Sequence, residues 1–341
     1  MSYFDIEALS YSSLRALSVG PAYFKYQQEQ DSEEKDHLII GSAVDIMLTE
    51  NNKFWEYYYL EFEEFDSELP QPQMLKFIDY LVHNENCGEI TGNCYEEAYE
   101  YAGINKKKLE TIISEFKDKY QPYYQYLIKK NIYNVNNKDK QLLTNNQYKI
   151  VDSIVNSLRN NQFTKKYFEE YFESSKERFT QLEIYWELKD LKCKSKLDLV
   201  FVNHNTKEIQ PMDLKTTGNS VFSFDSSSLR WRYDLQAAWY SMALYWLINY
   251  SNDEYWSKLK SYKLLNFKFI VESTKNPGTP LIYSCSDKFL NMATSGFRKD
   301  GKWYKGIEEL VEDYKWYVDK NSWSYNREII ENNGEIELRY D

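Results

Sequence analysis

The triplet Asp213-Leu214-Lys215 lies in the apolar run Ile209-Gln-Pro-Met-Asp213-Leu-Lys215-Thr-Thr217. A second acid, Asp198, lies in Leu197-Asp-Leu-Val-Phe-Val202, and the turn-like Asn203-His-Asn-Thr-Lys207 separates the two runs. This pattern reads as a β-hairpin. Side chains alternate along a strand, so Asp213 and Lys215 share a face while Leu214 points away into a core. If the hairpin is symmetric about Asn205 and Thr206, Asp198 stands opposite Asp213, with Cβ atoms roughly 4.5–5.5 Å apart. Two bare carboxylates at that spacing repel, and a hard cation with oxygen ligands turns the repulsion into coordination. Two carboxylates and a lysine are the least equipment for holding a divalent cation against a phosphodiester. Strand interiors are depleted in Asp and isolated charge is costly to bury, so a chemical use explains both acids better than a solvated hairpin does.

The run Tyr233 to Ile248 contains no Gly or Pro and is rich in Ala, Leu and Met, which predicts a helix over 233–249. Gln236 and Tyr240 are four apart and share one helical face.

Together, Asp198, Asp213-x-Lys215 and Gln236-x-x-x-Tyr240 resemble the motifs of the PD-(D/E)XK nuclease superfamily, in its RecB-like branch. Further landmarks resemble RecE-type phage exonucleases (exodeoxyribonuclease VIII). They are Leu9-Ser-Tyr-Ser-Ser-Leu14 with Gly20-Pro21-Ala-Tyr-Phe24, Gly41-Ser-Ala-Val-Asp45, Leu143-Thr-Asn-Asn-Gln-Tyr148, Phe269-Ile-Val-Glu272, and the stretch from Trp303 to Trp323. They run along most of the chain and match least over about residues 50–140.

The resemblance implies a Mg²⁺- or Mn²⁺-dependent deoxyribonuclease that degrades linear duplex DNA from an end, in recombination or replication. It implies Asp198, Asp213, the Leu214 carbonyl and Asp45 as metal ligands. Lys215 would orient the attacking water, Gln236 would position the lysine or the water, and Tyr240 would reach the DNA backbone. Glu183 matches an acidic position one strand earlier and is expected beside the ligands. The family motif ends in His where this chain has Asp45, and an aspartate suits ions that prefer oxygen donors. The resemblance also implies a single-strand annealing protein as partner and a ring-like homo-oligomer. Two rival readings stand beside it. One is a structure-specific or helicase-associated nuclease; the other is a catalytically inactive DNA- or protein-binding module that kept the fold.

The wider composition bounds these readings. Aromatic residues make up 17% of the 341, including 32 Tyr and 9 Trp, which excludes a disordered chain. The net charge of −11, from 42 basic and 53 acidic residues, argues against broad coating of DNA. Positive charge must then be local. Lys189, Lys192, Lys194 and Lys196 cluster before Asp198, and Arg230 and Arg232 precede Gln236; Lys194, Lys196, Arg230 and Arg232 are the expected DNA contacts. Cys87, Cys94, Cys193 and Cys285 lack the spacing of a zinc site or an iron–sulfur group, so neither is expected and all four read as free thiols. No signal peptide and no apolar run of membrane-spanning length stands out, so a cytoplasmic protein is expected, in the host cytoplasm if phage-encoded.

The expected fold class is α+β, a PD-(D/E)XK core with a mixed central sheet flanked by helices. Residues 1–50 read as two N-terminal helices of that core, the second carrying Asp45. Residues 51–178 read as a largely helical insertion, with helices near 74–82, 95–102, 107–120 and 143–173. Residues 179–330 read as the catalytic core, with strands at 179–187, 193–202, 207–215, 262–272 and 280–285 and a closing helix at 304–320. Residues 331–341 form a tail.

Overall fold

A computed structural model describes residues 3–29, 36–84, 92–169 and 173–336. Its main sheet is built from β1 (Lys176–Leu188), β2 (Leu191–Asn203), β3 (Glu208–Thr217), β4 (Lys268–Ser273) and β5 (Leu281–Ser284), side by side in that order. A two-residue strand, Lys263–Leu264, pairs with the start of β3. The first three strands are an antiparallel meander. β4 then runs parallel to β3, and β5 returns antiparallel to β4.

Local chemistry makes both hairpins. β1 and β2 are joined by Lys189 and Asp190 alone, both at positive φ (49° and 64°), the tight turn whose twist matches paired strands. Between β2 and β3, the Asn203 Oδ1 accepts the backbone N–H groups of Asn205 and Thr206 at 3.0 and 3.2 Å, which closes the loop without help from the ladder. Leu197, Leu199, Val200 and Val202 are all buried although they alternate in direction, so both faces of β2 are covered.

Helices supply that cover: α1 (Tyr11–Val19), α2 (Pro21–Glu29), α3 (Asp36–Thr49), α4 (Asn145–Asn160), α5 (Tyr233–Tyr250), α6 (Asp287–Ser295) and α7 (Ile307–Lys320). α5 is the crossover between parallel β3 and β4. It is buried on most sides, through Leu235, Ala238, Trp239, Leu244 and Ile248, as expected of a helix apolar all round. Leu14 and Leu17 of α1 and Leu310 and Val311 of α7 join the same core.

The chain divides into two compact units. One contains residues 1–54 and 146–341 and carries the sheet. The other, residues 55–145, has its own core of Met74, Phe77, Ile78, Leu81, Ala98, Ile112 and Phe116 on helices Pro72–His83, Gly92–Tyr101 and Leu109–Glu115. It also holds the helix Gln121–Asn136, with Pro122 in its first turn, and a short parallel pair, Tyr58–Leu60 with Gln141–Leu143.

Several expectations need correction. The N-terminal segment forms three helices rather than two, because Pro21 ends one helix before it and starts another. The helix expected over 143–173 ends at Asn160. It belongs with the sheet rather than with the insertion: its Ser157 hydroxyl donates to Glu272 of β4, and Arg159 donates to the Met47 carbonyl of α3 at 3.0 Å. The strand expected over 262–272 is interrupted at 265–267, where Phe267 turns into the core and the Asn266 carbonyl accepts from Gln210 at 2.8 Å.

Cys94, Cys193 and Cys285 are buried free thiols; Cys87 and the end of the tail, 337–341, lie outside the described residues. Among the described residues no helix is long and apolar enough to cross a membrane.

Candidate active site

The β2–β3 ladder has the register expected from the symmetric hairpin, Val202 with Ile209 and Leu199 with Met212, but it stops one step short of Asp198 and Asp213. On the other side of β2 the β1 ladder also skips a step at Asp198, between the pairs Thr180–Leu199 and Leu182–Leu197. The skipped residue on β1 is Gln181, at φ 51°, a left-handed conformation that costs an L-residue energy. Asp198 therefore stands where both its neighbours leave the ladder, and a side chain takes the vacant place. Its Oδ2 accepts the Leu214 N–H at 2.9 Å.

Asp213 is 1% exposed. Lys215 Nζ forms an ion pair with its Oδ2, and Gln236 Nε2 donates to its Oδ1 at 2.8 Å. Gln236 reaches it from the first turn of α5. The Lys215 ammonium also lies over the Tyr233 ring, 5.0 Å from the centroid.

Asp45 arrives from α3. That helix approaches β3 closely at Gly41, where a Cβ would meet Thr216 Oγ1 at 3.2 Å. One Asp45 oxygen, Oδ2, accepts from Gln181 Nε2 at 2.6 Å. The strained Gln181 thus turns its amide toward α3 rather than into the ladder. Asp45 Oδ1 and Gln236 Oε1 are buried with no hydrogen-bond partner, and buried acceptors left so are uncommon.

The three acids are near enough to feel one another. Burial first, then the Asp213 charge, pushes the Asp45 carboxyl up to about 7. Burial, followed by Asp213 and Asp45, holds Asp198 well above the ordinary carboxylate range. Burial works against the Lys215 ammonium, but Asp213 and Asp198 outweigh it and hold its pKa above that of an ordinary lysine. The Tyr240 hydroxyl is raised by burial and then by Asp213 and Asp198. Its ring packs edge-on to that of Tyr11, with centroids 6.3 Å apart.

The structure thus brings Asp45, Asp198, Asp213, Lys215, Gln236 and Tyr240 together, and sets the other expected residues elsewhere. Glu183 does not reach the cluster: it takes a hydrogen bond from the Tyr185 hydroxyl at 2.8 Å and an ion pair with Lys196 at 3.8 Å. Lys194, expected to face DNA, is buried, and its Nζ donates to the Tyr3 and Ile6 carbonyls at 2.9 and 2.7 Å. Arg232, expected beside it in that role, is buried too. It is held by both oxygens of Asp234 at 3.0 Å and by the Lys305 carbonyl at 2.8 Å. Lys196 and Arg230 remain partly or fully exposed. Gln181 is the residue the sequence pattern missed, since a glutamine between Thr180 and Leu182 has the look of any outward strand residue.

Among the described residues, no three His, Cys, Asp or Glu side chains form a group that could hold a metal ion. The three-aspartate ligand set is thus not assembled, because Gln181 takes one Asp45 oxygen and Lys215 one Asp213 oxygen. The acceptor atoms left over are the orphaned Asp45 Oδ1 and Gln236 Oε1, with the Asp198 oxygen that the Leu214 N–H does not hold. Mg²⁺ keeps several waters and binds through one or two carboxylates, so a complete protein cage is not required.

No protein-family model and no curated protein matches this sequence. Among solved structures, a crystal structure described as "Putative exonuclease" from Eubacterium rectale is similar over 98% of this chain and 91% of that chain, with a TM-score of 0.46 and 12% identity. Chains this far apart need share neither fold nor activity, so the geometry of the site itself bears the reading that follows.

Proposed function

We infer that this protein is a Mg²⁺- or Mn²⁺-dependent nuclease of the PD-(D/E)XK type, acting as a RecE-like exonuclease on linear duplex DNA. One observation carries the reading. A buried aspartate and the lysine two residues on pair with each other at the crossover of a mixed sheet, with the helix glutamine on the aspartate and a second aspartate on the backbone between them. The order of the sheet, an antiparallel meander followed by a helix and a parallel strand, is consistent with the fold that the sequence resemblance implies.

A bound divalent cation lowers the pKa of its water and offsets charge on the scissile phosphate. The protein's own groups do the rest. Asp198 and Asp213 supply oxygen donors, and the Leu214 N–H fixes the rotation of Asp198. Gln236 holds the other Asp213 oxygen, leaving Oδ2 to the lysine. Lys215, desolvated and held charged, orients the attacking water and stabilises negative charge as it develops on the phosphate. Tyr240 of α5 and Tyr11 of α1 pack edge to face beside the site.

A second reading has its own observation. One Asp45 oxygen is already held within the chain by Gln181, as in a module that kept the fold and lost the reaction. Incubating the protein with Mg²⁺ or Mn²⁺ and linear or covalently closed duplex DNA separates the readings. An exonuclease degrades the linear form alone, a structure-specific nuclease cuts without needing an end, and a silent module cuts neither.

A further inference from the structure

Two arginines and a tryptophan stand beside this site and have no part in the reaction above. Arg15 lies one turn after Tyr11 on α1, Arg230 ends the short helix Phe224–Arg230, and Trp231 follows it. The guanidinium carbons of Arg15 and Arg230 lie over the Trp231 ring, 5.6 and 5.5 Å from its centroid. The Tyr11 hydroxyl donates to the Trp231 carbonyl at 2.8 Å and ties this loop to α1. Arg15 is close enough to influence the Tyr11 and Tyr233 hydroxyls, and both of those also feel Lys215 and Asp213.

The charges here are unlike the other cations of the region. Arg232 is matched by Asp234, Lys305 by Asp313 and Lys215 by Asp213. Among the described residues neither Arg15 nor Arg230 has a carboxylate partner. In a chain of net charge −11, two unneutralised guanidiniums on one indole leave room for an anion from outside. A guanidinium stacked on an aromatic face keeps its plane fixed and its N–H edge free. That edge matches two phosphate oxygens. Trp231 is 41% exposed, so the pair is reachable, and Arg230 also borders a cavity of about 730 Å³ lined in part by Lys302, Trp303 and Tyr304.

We propose that Arg15 and Arg230, held in place by Trp231, form a phosphodiester clamp that grips the nucleic-acid backbone beside the phosphate presented to Asp213 and Lys215. The clamp rests on the nuclease reading and adds to it the contact that fixes where the strand lies. Trp231 acts as a positioning residue, setting the planes of the two guanidiniums.

The test measures binding of a fluorescein-labelled linear duplex by anisotropy, over a range of salt, with every protein also carrying Lys215→Ala to stop cleavage. Each phosphate contact contributes about 0.9 to the slope of log affinity against log salt. Replacing both arginines by Gln should cut that slope by about 1.8 and weaken binding at least about 10-fold. Replacing both by Lys should keep the slope and still weaken binding, because the charge stays and the fork is lost. Trp231→Ala should behave like the Lys pair, and Trp231→Phe should recover part of the affinity. If the parent binds DNA with salt dependence and the Gln pair leaves its slope and affinity unchanged, the clamp is overturned and the nuclease reading survives. If the Gln pair fails to fold, the Lys pair and Trp231→Phe decide: wild-type affinity in the Lys pair overturns the clamp. If the parent neither binds DNA nor, with Lys215 restored, cuts it, the nuclease reading fails and the clamp with it.

Discussion

Asp198 is bonded to the backbone of the strand it faces, its Oδ2 accepting the Leu214 N–H at 2.9 Å. A side chain thus replaces the ladder bond where β2 and β3 part, and it grips the residue between Asp213 and Lys215. This separates a structural part of Asp198, as an acceptor, from a chemical part, as a charge. Asp198→Asn keeps an acceptor and removes one of three mutually repelling charges. In urea unfolding at pH 8 it should be at least as stable as wild type, while cleavage is lost. Asp198→Ala should cost about 1–3 kcal/mol by stranding the Leu214 N–H. An Asn variant that is both destabilised and active would contradict the assignment.

Lys215 is the counter-charge of a nearly inaccessible carboxylate. Removing one partner of a buried pair strands the other, so Lys215→Ala should lose about 3–5 kcal/mol at neutral pH. Adding Asp213→Asn should return part of that loss without returning activity. Chemical denaturation of the two singles and the double forms a cycle that checks the coupling, and additive effects would mean the pair does not interact.

The Asp45 carboxyl titrates at about 7 in the fold against 3.8 ordinarily. A raised acid pKa means the folded state binds the proton more tightly than the unfolded state. The associated stability is complete below about pH 4 and is lost as pH rises through 7. Asp45→Asn should therefore match wild type near pH 4 and become relatively more stable up to pH 7–8. Melting temperatures across that range would show the two curves diverging, whereas parallel curves would place Asp45 in an unstrained, solvated setting.

Lys194 separates a fold contact from a DNA contact. Lys194→Ala breaks its bonds to the Tyr3 and Ile6 carbonyls and should cost about 1–3 kcal/mol. DNA affinity and its salt slope should stay as they were. A loss of affinity with stability unchanged would reinstate Lys194 on a DNA-facing surface.

The hairpin register was legible because turn symmetry and the two-residue period of strands are local properties. So was the common face of Gln236 and Tyr240, from helical spacing. Lys194 was not. It alternates with Lys192 and Lys196 as an outward stripe should, yet Leu9 pairs with Cys193 on the edge of β2 that β3 leaves open, and the chain before it covers the lysine. Nothing local announces a contact between residues nearly two hundred positions apart. Gln181 was hidden for a related reason: its left-handed backbone answers to Asp45 on α3, not to its neighbours in β1. Arg232 read as a surface cation because its partner, Asp234, falls in a helical turn whose inward face only packing reveals.

The most direct measurement incubates the wild-type chain and its Lys215→Ala variant with linear and covalently closed circular duplex DNA, with Mg²⁺ or with a chelator, and follows release of nucleotides. The account predicts release from linear DNA by wild type with Mg²⁺, and none from the circle, with the chelator, or from the variant. Equal release by wild type and Lys215→Ala, or release that persists in the chelator, would contradict it.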